Sequence, residues 1–286
     1  MAQTLARALS AAAALSLLAP GCARPERAPE GLDELVLFAF RHFDSDDPTS
    51  AASLADALVG FESWWDESHD DPNTPYSAEL VRLGPDELSI LDPAPSRAQG
   101  EAALGVLYAR HTVCTLDEVD RVYLENDQLA LFPDSYEVYE RHDTTGFDCY
   151  ASGECEEAAW QADVQKVEQV VFVEVTYNFT IAAGARRFQA RPPDASLDAE
   201  ELEGRLARTW LMEEARLEPE TVGRFLQNYQ LEFVLPRDQG VLHFYALWTE
   251  VQSTELNTEA SIFLNSYIQG IEDYLDDFEA HCADWD

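Results

Sequence analysis

The end of the chain carries one continuous apolar stripe, and this stripe constrains the fold more than any other feature. Apolar residues recur every three or four positions between residues 256 and 278, as they do along one face of an α-helix. The opposite face of the predicted helix carries acidic residues, among them Glu255, Glu272 and Asp276. The stripe consists of Leu256, Ala260, Phe263, Leu264, Tyr267, Ile268, Ile271, Tyr274, Leu275 and Phe278. A long helix with one apolar face has to be covered by another layer of the same domain.

The middle of the chain follows the period of a half-buried β-strand instead. Between residues 171 and 181 the odd positions are apolar, and most even positions are polar. This alternation predicts a strand, a turn at residues 182–185 and a return strand near Phe188.

Further strands are predicted on both sides of this segment. Residues 136–147 favour a strand, residues 205–217 suit a strand or a helix, and alternation returns at residues 229–235. A hairpin loop is predicted at residues 236–240. Residues 241–249 are apolar at odd and even positions alike, which is typical of a central strand.

Two amphipathic helices precede the strands, over residues 32–43 and 49–65. Helices, then strands, then a long helix predict an α+β domain in which helices cover an antiparallel sheet. We expect residues 32–286 to form this single globular domain.

The order of a hairpin followed by a long terminal helix resembles the helix-grip fold of START-type lipid-binding domains. The resemblance covers roughly residues 117–282 and depends on the order of elements, without any shared motif. It implies that the last helix lies across a curved sheet and encloses an apolar cavity. The two leading helices depart from the usual order, in which a strand comes first.

The first 21 residues differ in composition from the rest of the chain. Residues 8–19 are almost wholly Ala and Leu, and the one charged side chain before them is Arg7. A basic start, about a dozen apolar residues and a small-residue exit are typical of a secretory signal. A permanent transmembrane helix would need about 20 apolar residues. We therefore expect residues 1–21 to direct export.

The exit of this run resembles the lipobox of bacterial lipoproteins. In that motif a small residue precedes a cysteine that is diacylated and becomes the mature N-terminus, and Gly21 and Cys22 match it. The two residues before Gly21 depart from the pattern. The resemblance implies lipidation of Cys22, a short tether over residues 22–31, and an envelope location in the periplasm or at the cell surface. The alternative is ordinary signal cleavage after Ala23.

The chain is strongly acidic, with 55 acidic and 18 basic residues and a net charge of −37. This charge argues against nucleic acid as a partner, because binding phosphates requires clustered Lys and Arg. It also disfavours adhesion to anionic lipid head groups, so the acyl anchor is the one predicted membrane contact. Lys166 is the only lysine. Adaptation to high salt explains such a surface, and the alternative is a GC-rich genome that favours Arg together with selection for solubility.

Four cysteines remain after Cys22, and an even count in an exported chain predicts two disulfide bonds. They are Cys114, Cys149, Cys155 and Cys282. Three pairings are possible, and the simplest joins Cys149 to Cys155 and Cys114 to Cys282.

Aromatic residues in the predicted strands are the candidates for a ligand pocket. Core packing is the alternative role for the same side chains. The candidate pocket lining is Trp210, Tyr229, Phe233, His243, Tyr245 and Trp248.

The chain contains no Gly-x-Ser-x-Gly elbow, phosphate-binding loop, dinucleotide-binding glycine motif or His-Glu-x-x-His helix. We therefore predict no cofactor, no metal and no catalytic residue. Three weaker patterns remain as alternatives: calcium at the acidic residues 44–47, a catalytic His69 among carboxylates, and zinc at His111 and His281 beside Cys114 and Cys282.

Three classes of function follow from these patterns. The first is a noncatalytic, envelope-anchored domain that binds an apolar small molecule. The second is an envelope structural or interaction protein without a pocket, whose partner is another envelope protein. The third is an envelope hydrolase that uses the region of His69.

Overall fold

The computed structural model describes residues 24–43, 49–68, 74–97, 99–133, 135–170, 173–196, 198–252 and 261–284. The predicted signal, Cys22, the acidic residues 44–47 and His69 lie outside these ranges. Within them, no helix is both long and apolar enough to cross a bilayer.

The described residues form one antiparallel sheet of nine strands, in the order β1-β2-β9-β8-β6-β5-β4-β3, with β7 paired to β5. The strands are β1 (Tyr76–Leu80), β2 (Leu104–Thr112), β3 (Val138–Thr145), β4 (Glu157–Val170), β5 (Val173–Ala190), β6 (Leu202–Leu211), β7 (Arg216–Glu218), β8 (Arg224–Arg237) and β9 (Gly240–Gln252).

Helices cover both faces of this sheet. They are α1 (Leu32–Arg41), α2 (Ser50–Ser68), α3 (Pro85–Leu88), α4 (Leu116–Leu124), α5 (Gln128–Leu131), α6 (Phe147–Ala151) and α7 (Ser261–Asp284). Helices α1 and α2 pack on one face, and α4 and α7 pack on the other. The predicted α+β class, with an antiparallel sheet and a long terminal helix, is confirmed.

The central strand β9 explains why the sheet has two covered faces. Leu242, Phe244 and Trp248 belong to the core beneath α1 and α2, whereas Tyr245 and Leu247 pack toward α7. Successive side chains of a strand point to opposite faces. A strand that is apolar at every position therefore needs a helical layer on each side.

The turn predicted at residues 182–185 is wrong, because β5 runs unbroken through this segment from Val173 to Ala190. Ala183 pairs with Trp160 of β4 and with Thr209 of β6. The small residues serve close packing instead of a turn: a Cβ atom on Gly184 would come within 3.2 Å of the Phe43 ring.

Both disulfide bonds are present, in the simplest of the three pairings. Cys114 is bonded to Cys282 across 168 residues, and Cys149 to Cys155 across six. The first bond joins the segment after β2 to the last turns of α7. Disulfide-bonded sulfur is not the thiolate that binds zinc, so the alternative zinc reading fails.

Residues of the predicted tether contact helix α2. The backbone N–H of Glu26 donates to Ser53 Oγ, and the N–H of Ala28 donates to the carboxylate of Asp56, both at 2.9 Å. The domain therefore holds the chain from residue 26 onward. A tether that leads from Cys22 to this contact stays a prediction.

Candidate functional site

A cavity of about 650 Å³ lies between α7 and the sheet face beneath it. Small-molecule sites in proteins typically have volumes of about 300–1,000 Å³. Strands from β9 to β3 all contribute to its wall. These six strands are adjacent in the sheet, so one continuous stretch of the sheet forms the wall.

The parity of each strand decides which side chains reach the cavity. On β9 the wall is formed by the odd positions Tyr245, Leu247, Thr249 and Val251. The register pairs Glu232 of β8 with Tyr245, so the even positions of β8 share this face.

Helix α7 contributes Tyr267, Ile271 and Tyr274 to the opposite wall. Their spacing of four and three residues places them on one face of the helix. These three residues belong to the apolar stripe from which the helix was predicted.

The cavity is closed at one end and more exposed at the other. At the closed end Trp160, Glu232 and Tyr245 are each 7% exposed. At the other end the α7 residues Ser266 and Gly270 border the cavity and are exposed.

A buried carboxylate, Glu232, organises the closed end. It accepts hydrogen bonds from the hydroxyl of Tyr123 at 3.2 Å and from the hydroxyl of Tyr274 at 3.4 Å. His243 Nε2 lies 2.8 Å from Glu232 Oε2. Buried charges are tolerated in proteins when they are paired in this way. The network keeps a polar centre inside an otherwise apolar wall.

The tyrosine hydroxyls around Glu232 stay protonated at neutral pH. Burial raises the pKa of Tyr123, Tyr245 and Tyr274 well above the usual value, and the negative charge of Glu232 raises each of them further. A neutral hydroxyl can donate one hydrogen bond and accept others. The cavity therefore offers neutral polar groups to a ligand.

The raised pKa of Tyr245 predicts a pH dependence of stability. Below about pH 10 the hydroxyl is protonated in the folded and the unfolded chain, so its contribution to stability is complete. Above pH 10 the unfolded chain loses this proton first, and the free energy of unfolding falls by up to about 1.4 kcal/mol per pH unit for this tyrosine. Tyr245→Phe lacks this ionisable group. The free energy of unfolding of the variant therefore rises relative to that of the wild-type protein between pH 10 and pH 11. Urea denaturation at each pH measures the difference; a constant difference would contradict the prediction.

Two cationic side chains line the cavity on the side of β3 and β4. Arg141 donates from Nη2 to the Tyr123 carbonyl at 2.7 Å, and its guanidinium lies 4.7 Å from the Trp160 ring centre. Lys166, the only lysine of the chain, lies with its Nζ 5.0 Å from the Tyr136 ring centre. Both residues line the cavity in a protein whose net charge is −37.

Of the six residues predicted to line a pocket, the structure places Tyr245 at the cavity. His243 is fully buried on the same face, where its ring packs against Phe278. His243 contacts Glu232, which lines the cavity, but does not line the cavity itself.

The other four predicted residues do not line the cavity, because they point to the opposite face of the sheet. Trp210, Tyr229, Phe233 and Trp248 are buried in the core beneath α1 and α2. The polar atoms of the two tryptophans and of Tyr229 bond to loops on that face: Trp248 Nε1, for example, donates to the Val81 carbonyl at 2.8 Å. The reason is parity, since residues 245 and 248 are an odd number of positions apart.

Several residues of the site were not predicted. Glu232 occupies a polar position of an alternating strand, where a charged residue usually faces solvent. Arg141 and Trp160 belong to β3 and β4, at the edge of the sheet opposite β1. Lys166 carried the one usable signal, because it is the only lysine of the chain.

The described residues outside the cavity offer little other chemistry. They contain no group of three or more side chains arranged to hold a metal ion. Asp66, near the predicted His69 cluster, forms an ion pair with Arg237. His281 Nε2 lies 2.8 Å from the Leu131 carbonyl.

Comparison with known proteins finds similar folds at low identity. No family model matches the chain, and no curated protein sequence matches it. A STAR-related lipid transfer protein from Xanthomonas axonopodis is 11% identical, with 75% of this chain and 97% of that chain covered and a TM-score of 0.42.

Two plant proteins are similar at the same level. Norcoclaurine synthase from Thalictrum flavum is 13% identical, with 62% of this chain and 91% of that one covered and a TM-score of 0.33. Major latex-like protein 151 from Panax ginseng is 9% identical, with coverages of 63% and 97% and a TM-score of 0.36. At these TM-scores the likenesses carry no argument about function.

Proposed function

We propose that this domain binds one small apolar or amphipathic molecule in the cavity beneath α7, and that binding, without catalysis, is its function. The observation that carries the proposal is the cavity itself. Protein interiors are packed as densely as organic crystals and contain few voids larger than a water molecule. A space of about 650 Å³ beside two hydrophobic cores is far larger than such voids and supports a ligand site.

The cavity is kept open because α7 is fixed at its C-terminal half. The disulfide bond attaches Cys282 to Cys114. Arg110 of β2 forms ion pairs with Asp276 and Glu279 of α7, the second at 3.2 Å. These attachments hold the helix over the sheet, so the wall is not free to collapse inward.

The lining suits an amphipathic ligand better than a fully polar one. Side chains such as Leu247, Val251 and Ile271 supply apolar surface. Tyrosine hydroxyls and a few charged groups interrupt it, as convergent polar groups do in most ligand sites. A few polar groups in an apolar wall orient a ligand without requiring it to be highly charged.

The proposal includes export and anchoring through an acylated Cys22. The support for it is the apolar run of residues 8–19 and the Gly21–Cys22 pair. The acyl chains would supply the membrane affinity, and the cavity would remain available to a soluble or membrane-derived ligand.

Extraction of the protein from its own cells tests the binding function. The full chain is purified, its native mass is recorded, and it is then extracted with organic solvent. Because an acyl anchor would contribute lipid of its own, the Cys22→Ser variant is treated in the same way. We expect one noncovalently bound molecule per chain in both proteins. A mass equal to that of the polypeptide, with nothing recovered on extraction, would favour the protein-interaction hypothesis.

A further inference from the structure

We propose that the ligand of the cavity is an amphiphile with a carboxylate end group, and that Arg141 binds this carboxylate. This inference depends on the proposed binding function and names the class of ligand.

The hydrogen bonding of Arg141 is incomplete. A guanidinium has five N–H donors, on Nε, Nη1 and Nη2. Nη2 donates to the Tyr123 carbonyl, whereas the buried Nε and Nη1 atoms have no hydrogen-bond partner among the described residues. Buried polar atoms without partners are rare in proteins and costly, most of all on a charged group. Arg141 also lines the cavity. Because Nε and Nη1 expose almost no surface there, a ligand completes their hydrogen bonds after a small shift of the side chain.

The surroundings of Arg141 hold the guanidinium in place before any ligand arrives. Its central carbon lies 4.7 Å from the Trp160 ring centre and 5.4 Å from that of Phe147. Aromatic rings attract a cation and fix the plane of the guanidinium. A donor group held rigid in this way loses little conformational freedom on binding.

Among the described residues, the one carboxylate that lines the cavity does not neutralise Arg141. Glu232 already has other hydrogen-bond partners, which are Tyr123, Tyr274 and His243. Tyr123 lies between the two charges, since its carbonyl accepts from Arg141 and its hydroxyl donates to Glu232. The positive charge is therefore left for an anion from outside the described residues.

The charge and length of the site favour a monocarboxylate. A single guanidinium balances one negative charge, whereas a phosphate monoester carries nearly two at neutral pH. Along β4 the wall extends from Trp160 to Lys166, about 20 Å at the rise of a β-strand. This length accommodates an extended alkyl chain.

Two probes that differ in the end group test the assignment: hexadecanoate and hexadecanol, each titrated into the full chain. We expect hexadecanoate to bind about tenfold more tightly than hexadecanol, because a hydrogen bond to a charged group is worth more than a neutral one. Arg141→Gln should remove this preference. Lys166→Gln is the matched control and should retain the preference.

The outcomes separate the two proposals. If neither probe binds, the proposed binding function fails. If both probes bind equally to the wild-type protein, or if Arg141→Gln keeps the preference, binding stands and the assignment to Arg141 is overturned. Loss of the preference in Lys166→Gln overturns it as well. Should Arg141→Gln not fold, NMR of the wild-type protein decides. A shift of the Arg141 Nε–H resonance with hexadecanoate but not with hexadecanol supports the assignment, and equal shifts contradict it.

Discussion

Replacing both Cys114 and Cys282 with alanine is expected to lower the free energy of unfolding by about 5 kcal/mol, and the same replacement of Cys149 and Cys155 by about 2 kcal/mol. The two bonds close loops of very different length, with sequence separations of 168 and 6. A disulfide bond stabilises a protein mainly by restricting the unfolded chain, and a longer loop loses more freedom. Because whole domains are stable by only about 5–15 kcal/mol, the first double variant is expected to be marginal.

The second bond is the natural control for the first, since both variants replace two cysteines with the same residue. Urea denaturation of the two double variants and the wild-type protein, without reductant, gives the three free energies. We also expect the Cys114→Ala/Cys282→Ala variant to lose ligand affinity, because Cys282 holds the helix that covers the cavity. Equal losses of stability in the two variants would contradict this account of the long bond.

Gly270→Trp is expected to weaken the binding of hexadecanol by at least about tenfold without unfolding the protein. Gly270 belongs to α7 and borders the cavity, and a Cβ atom built on it meets no atom within 4 Å. A larger side chain can therefore begin at this position without a clash at Cβ and extend toward the cavity. Glycine inside a helix also costs roughly 0.5–1 kcal/mol relative to alanine, so replacing it does not harm the helix.

Gly270→Ala is the control for this variant, since it removes the glycine but leaves the cavity open. We expect Gly270→Ala to gain up to about 1 kcal/mol of stability and to bind hexadecanol as the wild-type protein does. Calorimetric titration measures the affinities, and urea denaturation the stabilities. If Gly270→Trp binds as tightly as Gly270→Ala, the ligand does not occupy this cavity.

The parts of the fold that could be predicted from the sequence are those in which apolar residues recur with the period of a helix or a strand. The apolar stripe predicted α7, and the double-sided apolar run at residues 241–249 predicted the central strand. The break predicted at residues 182–185 failed because small residues indicate a turn as well as close packing. The packing of Phe43 over Gly184, which explains the small residues, is a long-range contact that local pattern does not contain.

The site could be predicted in part. Aromatic content indicates a cavity but does not distinguish its wall from the core. Tyr245 and Trp248 are an odd number of positions apart on one strand and therefore face opposite layers. Arg141 could not be found from the sequence. A single charged residue in a strand gives no sign that its guanidinium will lie against Trp160 with buried N–H groups left unbonded.

Native mass spectrometry of the full chain with increasing hexadecanol tests the central claim most directly, with the Gly270→Trp variant measured in parallel. If the cavity is the binding site, the wild-type spectrum gains the mass of one hexadecanol molecule and then saturates, while the variant spectrum stays close to that of the free protein. Nonspecific binding elsewhere on the chain is common to both proteins and cancels in the comparison. The same series of adducts on both proteins, or none on either, would contradict the claim that this cavity binds an apolar ligand.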